Sequence, residues 1–403
     1  MIIMIDRKNY IAQLIHWKDH DVIKVVTGVR RCGKSTLLKL FRDELQKTGV
    51  QKENIISLNL EDYEGTKITT YMELLQYFID KLHPAGMNYI FIDEVQQINN
   101  FEKAVDALYV KENCDVYITG SNSKMLSGEL ATLLSGRYVE IKMQPLSFAE
   151  YASIYPNQSP ERLYMNYLQN GSFPYVTNIN EQIYVKQYLN SIYDTVMLKD
   201  IMGRNNFQNQ ELLKKISRFL FDNIGNPCST KKIADTLTSM GTKTTVPTVE
   251  KYLGALQDSF LFYKAERFDL KGKEYLKTGG KYYAVDMGLR NAVLGSKPAD
   301  IGHILENIVY LELKRRWHEV YVGKVGDTEI DFVVMQNGER CYYQVAYTVI
   351  DDNGSILKRE LAPLQSVKDY YQRYLITMDM VPPVSHEGIK QVYALDWLLR
   401  NGN

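Results

Sequence analysis

One run of eight residues constrains this chain more than any other: Gly28-Val29-Arg30-Arg31-Cys32-Gly33-Lys34-Ser35, which fits G-x-x-x-x-G-K-[ST]. The segment before it, 22–27, is apolar and β-branched, and 36–47 after it has helical spacing, so the run sits where a buried strand hands over to a helix. Glycines let successive backbone N–H groups curl around an anion, and the helix N-terminus adds partial positive charge there. The expectation is a phosphate cradle of Gly28, Val29, Arg30, Arg31, Cys32, Gly33, Lys34, Ser35 and Thr36. In it Lys34 holds β- and γ-phosphate oxygens and the Ser35 hydroxyl ligates Mg²⁺.

A second apolar strand, 89–92, runs into Asp93-Glu94. A buried strand delivers such acids to its carboxyl end, where Asp93 is expected to hold Mg²⁺ through water and Glu94 to act as general base on the attacking water. A third strand, 116–119, ends in Gly120-Ser121-Asn122-Ser123. Ser121 there reads either as a γ-phosphate sensor or as part of a helix-capping turn. Arg137, before the strand 138–141, reads as an arginine finger acting in cis or in trans, or as a surface arginine. No N-K-x-D segment is present to read guanine, so ATP is the expected nucleotide.

Composition narrows the class. With 403 residues the chain has room for two to three domains at ~150 residues each. Its 45% apolar and 24% charged residues are those of a globular protein. Lys+Arg and Asp+Glu are equal at 48 each, so no chain-wide field draws it to nucleic acid or to a membrane surface. The N-terminus does not read as a signal peptide and no apolar run reaches the ~18 residues of a membrane span, so a cytoplasmic location is expected. The cysteines at 32, 114, 228 and 341 are dispersed without a C-x-x-C pair, as reduced thiols would be, with Cys32 the one whose oxidation would touch the loop.

Strands alternating with helices over 1–150 predict an α/β core with a mainly parallel sheet. Residues 151–210 read as a helical lid or linker, broken at Gly171-Ser172-Phe173-Pro174 before an amphipathic stretch over 179–201. Residues 211–280 give helices, a turn and a strand-like segment in winged-helix order, and 281–403 return to strands around a helix over 304–317, a small separate α/β domain.

Taken together, Thr-Gly-Val-Arg-Arg-Cys-Gly-Lys-Ser, Ile-Asp-Glu-Val-Gln, Thr-Gly-Ser-Asn-Ser, Leu-Ser-Gly-Arg-Tyr and Pro-Leu-Ser-Phe-Ala-Glu-Tyr resemble prokaryotic AAA-type P-loop ATPases that carry a C-terminal domain of unknown function. Gly171-Ser172-Phe173-Pro174, Asp194-Thr195 with Lys199-Asp200, and 282–290 extend the resemblance over nearly the whole chain. It implies a P-loop NTPase core, a helical linker, a winged helix and a restriction-endonuclease-like tail. In such a tail an acid on a helix, an acid on a strand and Glu-x-Lys on the next strand gather Mg²⁺ at a scissile phosphate. Glu306 and Asp331 stand where the first two fall, but Gln344-Val345-Ala346 replaces the third, so the tail is expected to be catalytically degenerate.

Three functional readings follow from the residues. The first is an ATP-hydrolysing switch whose C-terminal modules bind a partner, duplex DNA or a protein, according to nucleotide state. The second is a nucleotide-gated binding module with negligible hydrolysis. The third, disfavoured by Gln344 and Ala346, is an ATP-driven nuclease. For DNA contact the winged-helix segment offers Thr245, Thr248, Lys251 and Tyr252.

Overall fold

The computed structural model describes residues 5–123, 136–205, 207–272, 274–295, 300–317 and 319–400, with 274–278 as backbone only. The chain forms two compact units, Met4–Pro145 with Asp258–Phe260, and Leu146–Gln257 with Leu261–Asn403 and Met1–Ile3.

In the first unit, strands β1 (Ile23–Thr27), β2 (Ile55–Asn59), β3 (Asn88–Asp93), β4 (Cys114–Gly120) and β5 (Tyr138–Lys142) make a wholly parallel sheet in the order β2-β3-β4-β1-β5. Helices α1 (Lys8–Trp17), α2 (Lys34–Lys47), α3 (Tyr71–Ile79) and α4 (Phe101–Tyr109) accompany it. β1 and β3 are buried at every position, which is why they read as unbroken apolar runs. Ile90, Ile92, Val116 and Ile118 face Leu74 and Phe78 of α3 and Val105 and Leu108 of α4. The alternate residues Phe91 and Tyr117 turn to the other face, stacked at 4.9 Å, where Phe41 of α2 lies 5.2 Å from Tyr117. Because β4 lies between β1 and β3, the carboxyl ends of these three strands sit side by side and present the loop after Thr27, then Gly120-Ser121, then Asp93-Glu94.

The second unit contains α5 (Phe148–Ser153), α6 (Pro160–Asn170), α7 (Gln182–Thr195), α8 (Gln210–Asp222), α9 (Thr230–Ser239) and α10 (Val246–Asp258), α10 ending at the border of the first unit. After these come β6 (Phe262–Asp269), β7 (Glu274–Ala284), α11 (Met287–Leu294), α12 (Ile301–Arg316), β8 (Glu319–Val325), β9 (Thr328–Gln336) and β10 (Glu339–Ala346). The unit closes with α13 (Ser355–Gln365), β11 (Gln372–Thr377), β12 (Val384–His386), β13 (Ile389–Tyr393) and α14 (Ala394–Leu399). Its eight strands form one mixed sheet, β12-β13-β11-β10-β9-β8-β6-β7. Helices α8 to α10 followed by the β6–β7 hairpin keep the expected order, and Pro227 bridges back to Lys281 of β7. The hairpin is not set apart from the tail, however: β6 pairs in parallel with β8, and the expected border at 280/281 falls inside β7. The stretch read as amphipathic over 179–201 is α7 continued by a π-helical turn, Val196–Met202.

Two of the segments that carry the resemblance have structural explanations. Ser147 opens α5 by accepting from Glu150 N–H while the Glu150 carboxylate accepts from Ser147 N–H, a capping box. Ser172 and Asp286 are partners: the buried Asp286 carboxylate accepts from Ser172 N–H at 2.6 Å, Ser172 Oγ at 2.7 Å and Leu289 N–H at 2.7 Å. A Cβ on Gly171 would lie 2.4 Å from Asp286 Oδ1, and one on Gly288 would lie 2.4 Å from Gly171 N, so the approach requires both glycines. Arg290, fully buried, donates to Phe221 O at 2.8 Å and pairs with Asp300. Among the described residues no helix is long and apolar enough to cross a membrane.

Candidate active site

The run 28–35 forms a loop between β1 and α2 whose backbone only partly tolerates side chains. Gly28 has φ 152°, Arg31 φ 68° and Gly33, which caps α2, φ 108°. A Cβ on Gly28 would lie 2.1 Å from Met143 O. Gly28→Ala is therefore expected to deform the loop at a cost of ~1–3 kcal/mol, weakening nucleotide binding about ten- to hundredfold. Titration with a fluorescent ATP analogue measures it, with circular dichroism confirming that the chain is folded.

Within the loop Val29 and Cys32 are buried while Arg31, Ser35 and Thr36 are exposed. Arg7, missed in the sequence, braces the loop from behind: it is buried and donates to Cys32 O at 3.5 Å and Gln144 O at 2.6 Å. Cys32 donates to Met143 O at 3.6 Å, and burial pushes its thiol up despite the neighbouring Lys34 and Arg7 cations. A buried, protonated thiol is inert, so oxidation of Cys32 as a route to the loop is not supported. Arg30 turns to Glu61 at 3.1 Å, and Gln97 donates to the same carboxylate at 3.0 Å.

Lys34 Nζ lies over the loop, donating to Gly28 O at 3.1 Å and Val29 O at 3.4 Å, with Glu94 Oε1 3.7 Å away. Asp93 accepts from the side chains of Ser35 and Thr119. Burial raises the Asp93 carboxyl above the usual range and Glu94 adds to this, while Ser35, Thr119 and Lys34 pull it back. Glu94 holds a left-handed backbone, φ 58°, with its N–H bonded to Thr119 Oγ1 at 3.0 Å. Strained conformations of this kind persist where surrounding contacts enforce them. Gln96 donates to Glu94 Oε2 and, at 3.4 Å, to Ser121 Oγ.

The structure thus brings together Lys34, Ser35, Asp93, Glu94 and Ser121, the last reaching Glu94 through Gln96. Thr119, Gln96 and Arg7 join them unannounced. The one signal available was the polar ending of a buried strand, Thr119-Gly120-Ser121. Arg137 is not brought in. Ile23 pairs with Tyr138, so Arg137 stands at the amino end of the sheet, opposite the loop that follows Thr27. There its guanidinium lies 3.6 Å from Asp106 and over the Tyr109 ring at 5.7 Å. A finger role in cis is excluded by this placement.

A family model described as an AAA domain matches residues 20–152, and a domain of unknown function, DUF8612, matches 161–300. The chain is 43% identical over 403 residues to a Haemophilus influenzae protein named only as uncharacterized, covering 98% of this chain and 99% of that one. An uncharacterized protein of Methanocaldococcus jannaschii is 30% identical over 351 residues, covering 82% of this chain and 76% of its own length. Among solved structures, the Walker-type ATPase PABY2304 of Pyrococcus abyssi superposes with a TM-score of 0.48 at 17% identity, over 72% of this chain and 96% of that one. With kinship to the H. influenzae protein along almost its entire length, the chain belongs to that protein's family, and within it residues 20–152, which hold the loop 28–35 and both carboxylates, match an AAA domain.

Proposed function

We propose that the chain hydrolyses ATP in a Mg²⁺-dependent reaction at this loop and uses the nucleotide state to control a partner held by its C-terminal modules. The observation that carries the reading is the convergence at the carboxyl end of the sheet of Lys34 on Glu94 and Ser35 on Asp93, with the two acids linked through Thr119. Lys34 would leave the Gly28 and Val29 carbonyls for β- and γ-phosphate oxygens, and Glu94, released from Lys34, would orient and deprotonate water. Ser35 and Asp93 form a pair of hard oxygen donors, side by side, that suits Mg²⁺, which when bound neutralises phosphate charge.

For the partner, the α8–α10 helices with the β6–β7 hairpin read as a winged helix. Lys243, Thr245 and Lys251 are exposed around the start of α10, suited to a phosphate backbone and base edges. Tyr252 is removed from this set: it is buried, donates to Asn209 O at 3.3 Å and stacks on Phe207 at 4.2 Å. Steady-state phosphate release with and without duplex DNA tests the reading. We expect DNA to raise turnover, with an effect that fades as salt increases. Turnover indifferent to DNA at low salt would leave a protein as the partner.

A second reading, a gated binding module with negligible hydrolysis, draws on the double hold of Lys34 and Gln96 on Glu94. Multiple-turnover phosphate release by the chain alone would eliminate it.

A further inference from the structure

Glu306 and Asp331, the two acids expected to gather a metal in the tail, do meet in the second unit. They meet around a lysine. Lys281 on β7 is buried, with Nζ 2.9 Å from Glu306 Oε1, 2.9 Å from Glu329 Oε1 and 3.5 Å from Asp331 Oδ1. Glu306 and Asp331 have further partners. Tyr283 donates to Glu306 Oε1 at 2.7 Å, His303 Nδ1 lies 3.5 Å from Glu306 Oε2, and Val345 N–H donates to Asp331 Oδ2 at 2.9 Å. Gln344, at the position of the missing acid, accepts from Asp331 N–H at 3.4 Å and donates to Glu360 at 3.0 Å. Gly225 also comes close: a Cβ there would lie 2.9 Å from His303 Nδ1 and 3.2 Å from Glu306 Oε2. Among the described residues no group of three or more metal-ligating side chains is arranged to hold an ion. The donor set therefore does not fit the metal that a nuclease-like tail implies.

We propose that Lys281 is the resident cation of this centre, its ammonium standing among Glu306, Glu329 and Asp331 where a divalent ion would have to sit, so that the tail is closed to metal by the chain itself. An ammonium is a compact charge with donors in several directions, and it can bridge carboxylates from different elements as a metal does. Here it fastens β7 to α12 and β9, beside a second clamp in which Asn307 accepts from Ala284 N–H at 2.8 Å and donates to Ala284 O at 2.9 Å. One cation thus serves three acids drawn from two elements, Glu306 of α12 and both Glu329 and Asp331 of β9. This inference concerns the tail alone and stands whether or not the P-loop hydrolyses ATP.

The test is Mn²⁺ binding by the nucleotide-free full chain, read from the loss of the free-ion electron paramagnetic resonance signal. Asp93→Asn in every arm removes the P-loop carboxylate from the comparison. With Lys281 in place, no Mn²⁺ binding that depends on Glu306 is expected. In Lys281→Met the vacated carboxylates should take up one Mn²⁺, raising the melting temperature by about 4 °C or more at saturation, and Glu306→Gln should abolish the gain. Lys281→Arg, which keeps the charge, should bind none. The proposal fails if the lysine-bearing chain binds Mn²⁺ and Glu306→Gln removes it, or if folded Lys281→Met gains nothing. Should Lys281→Met not fold, the lysine-bearing arm decides.

Discussion

Replacing Glu94 with glutamine should lower steady-state phosphate release by about 10²–10⁴-fold while nucleotide binding stays within a few-fold of the parent chain. The amide keeps the size of the side chain and leaves the Glu94 N–H to Thr119 bond at 3.0 Å untouched, so the left-handed turn survives. What disappears is the carboxylate proposed to take a proton from water. Lys34→Ala should differ in kind. It removes the only cation whose ammonium already lies over the loop carbonyls among the described contacts, and so should weaken binding as well as turnover. Phosphate release and equilibrium nucleotide titration on both variants separate the two effects. Full turnover in Glu94→Gln would assign the base elsewhere.

Asp286→Ala should destabilise the second unit by about 3–5 kcal/mol, since each buried donor left without its acceptor costs about 1–3 kcal/mol. Three donors, Ser172 N–H, Ser172 Oγ and Leu289 N–H, lose their acceptor at once in a place water reaches poorly. Asp286→Asn keeps one acceptor oxygen but turns an N–H₂ toward donors, and about 1–3 kcal/mol is expected. Urea unfolding followed by Trp317 and Trp397 fluorescence, with Trp17 replaced by phenylalanine, measures this. A midpoint unchanged in Asp286→Ala would mean that the contact between Gly171-Ser172 and α11 contributes little to holding the unit together.

What the sequence disclosed and what it concealed divide by range. The loop 28–35 is a local pattern, and β1 and β3 are unbroken apolar runs because both their faces are covered, so the core could be read from neighbours in the chain. Thr119 and Gln96 could not, because their roles depend on β4 being inserted between β1 and β3 and on a turn just after Glu94. Arg137 was placed by register: a residue at the start of a parallel strand lies at the opposite edge from a loop that follows its neighbour. Tyr252 on α10 belongs to the apolar stripe of an amphipathic helix, and its hydroxyl donates to the Asn209 carbonyl. Gly171-Ser172 and Asp286 were visible as separate marks, but nothing in the linear order says that one binds the other. Lys281 was hidden in the same way, since the acids around it come from α12 and β9.

The pairing of β6 with β8 reaches beyond the folding of one sheet. Arg267, Phe268 and Asp269 are laddered to Val322, Gly323 and Lys324, so the hairpin after α10 and the strands of the tail are continuous through backbone hydrogen bonds. The second unit therefore has the mechanics of a beam more than those of beads on a string. A load applied at the hairpin is carried through β8, β9 and β10 without a hinge at 280/281.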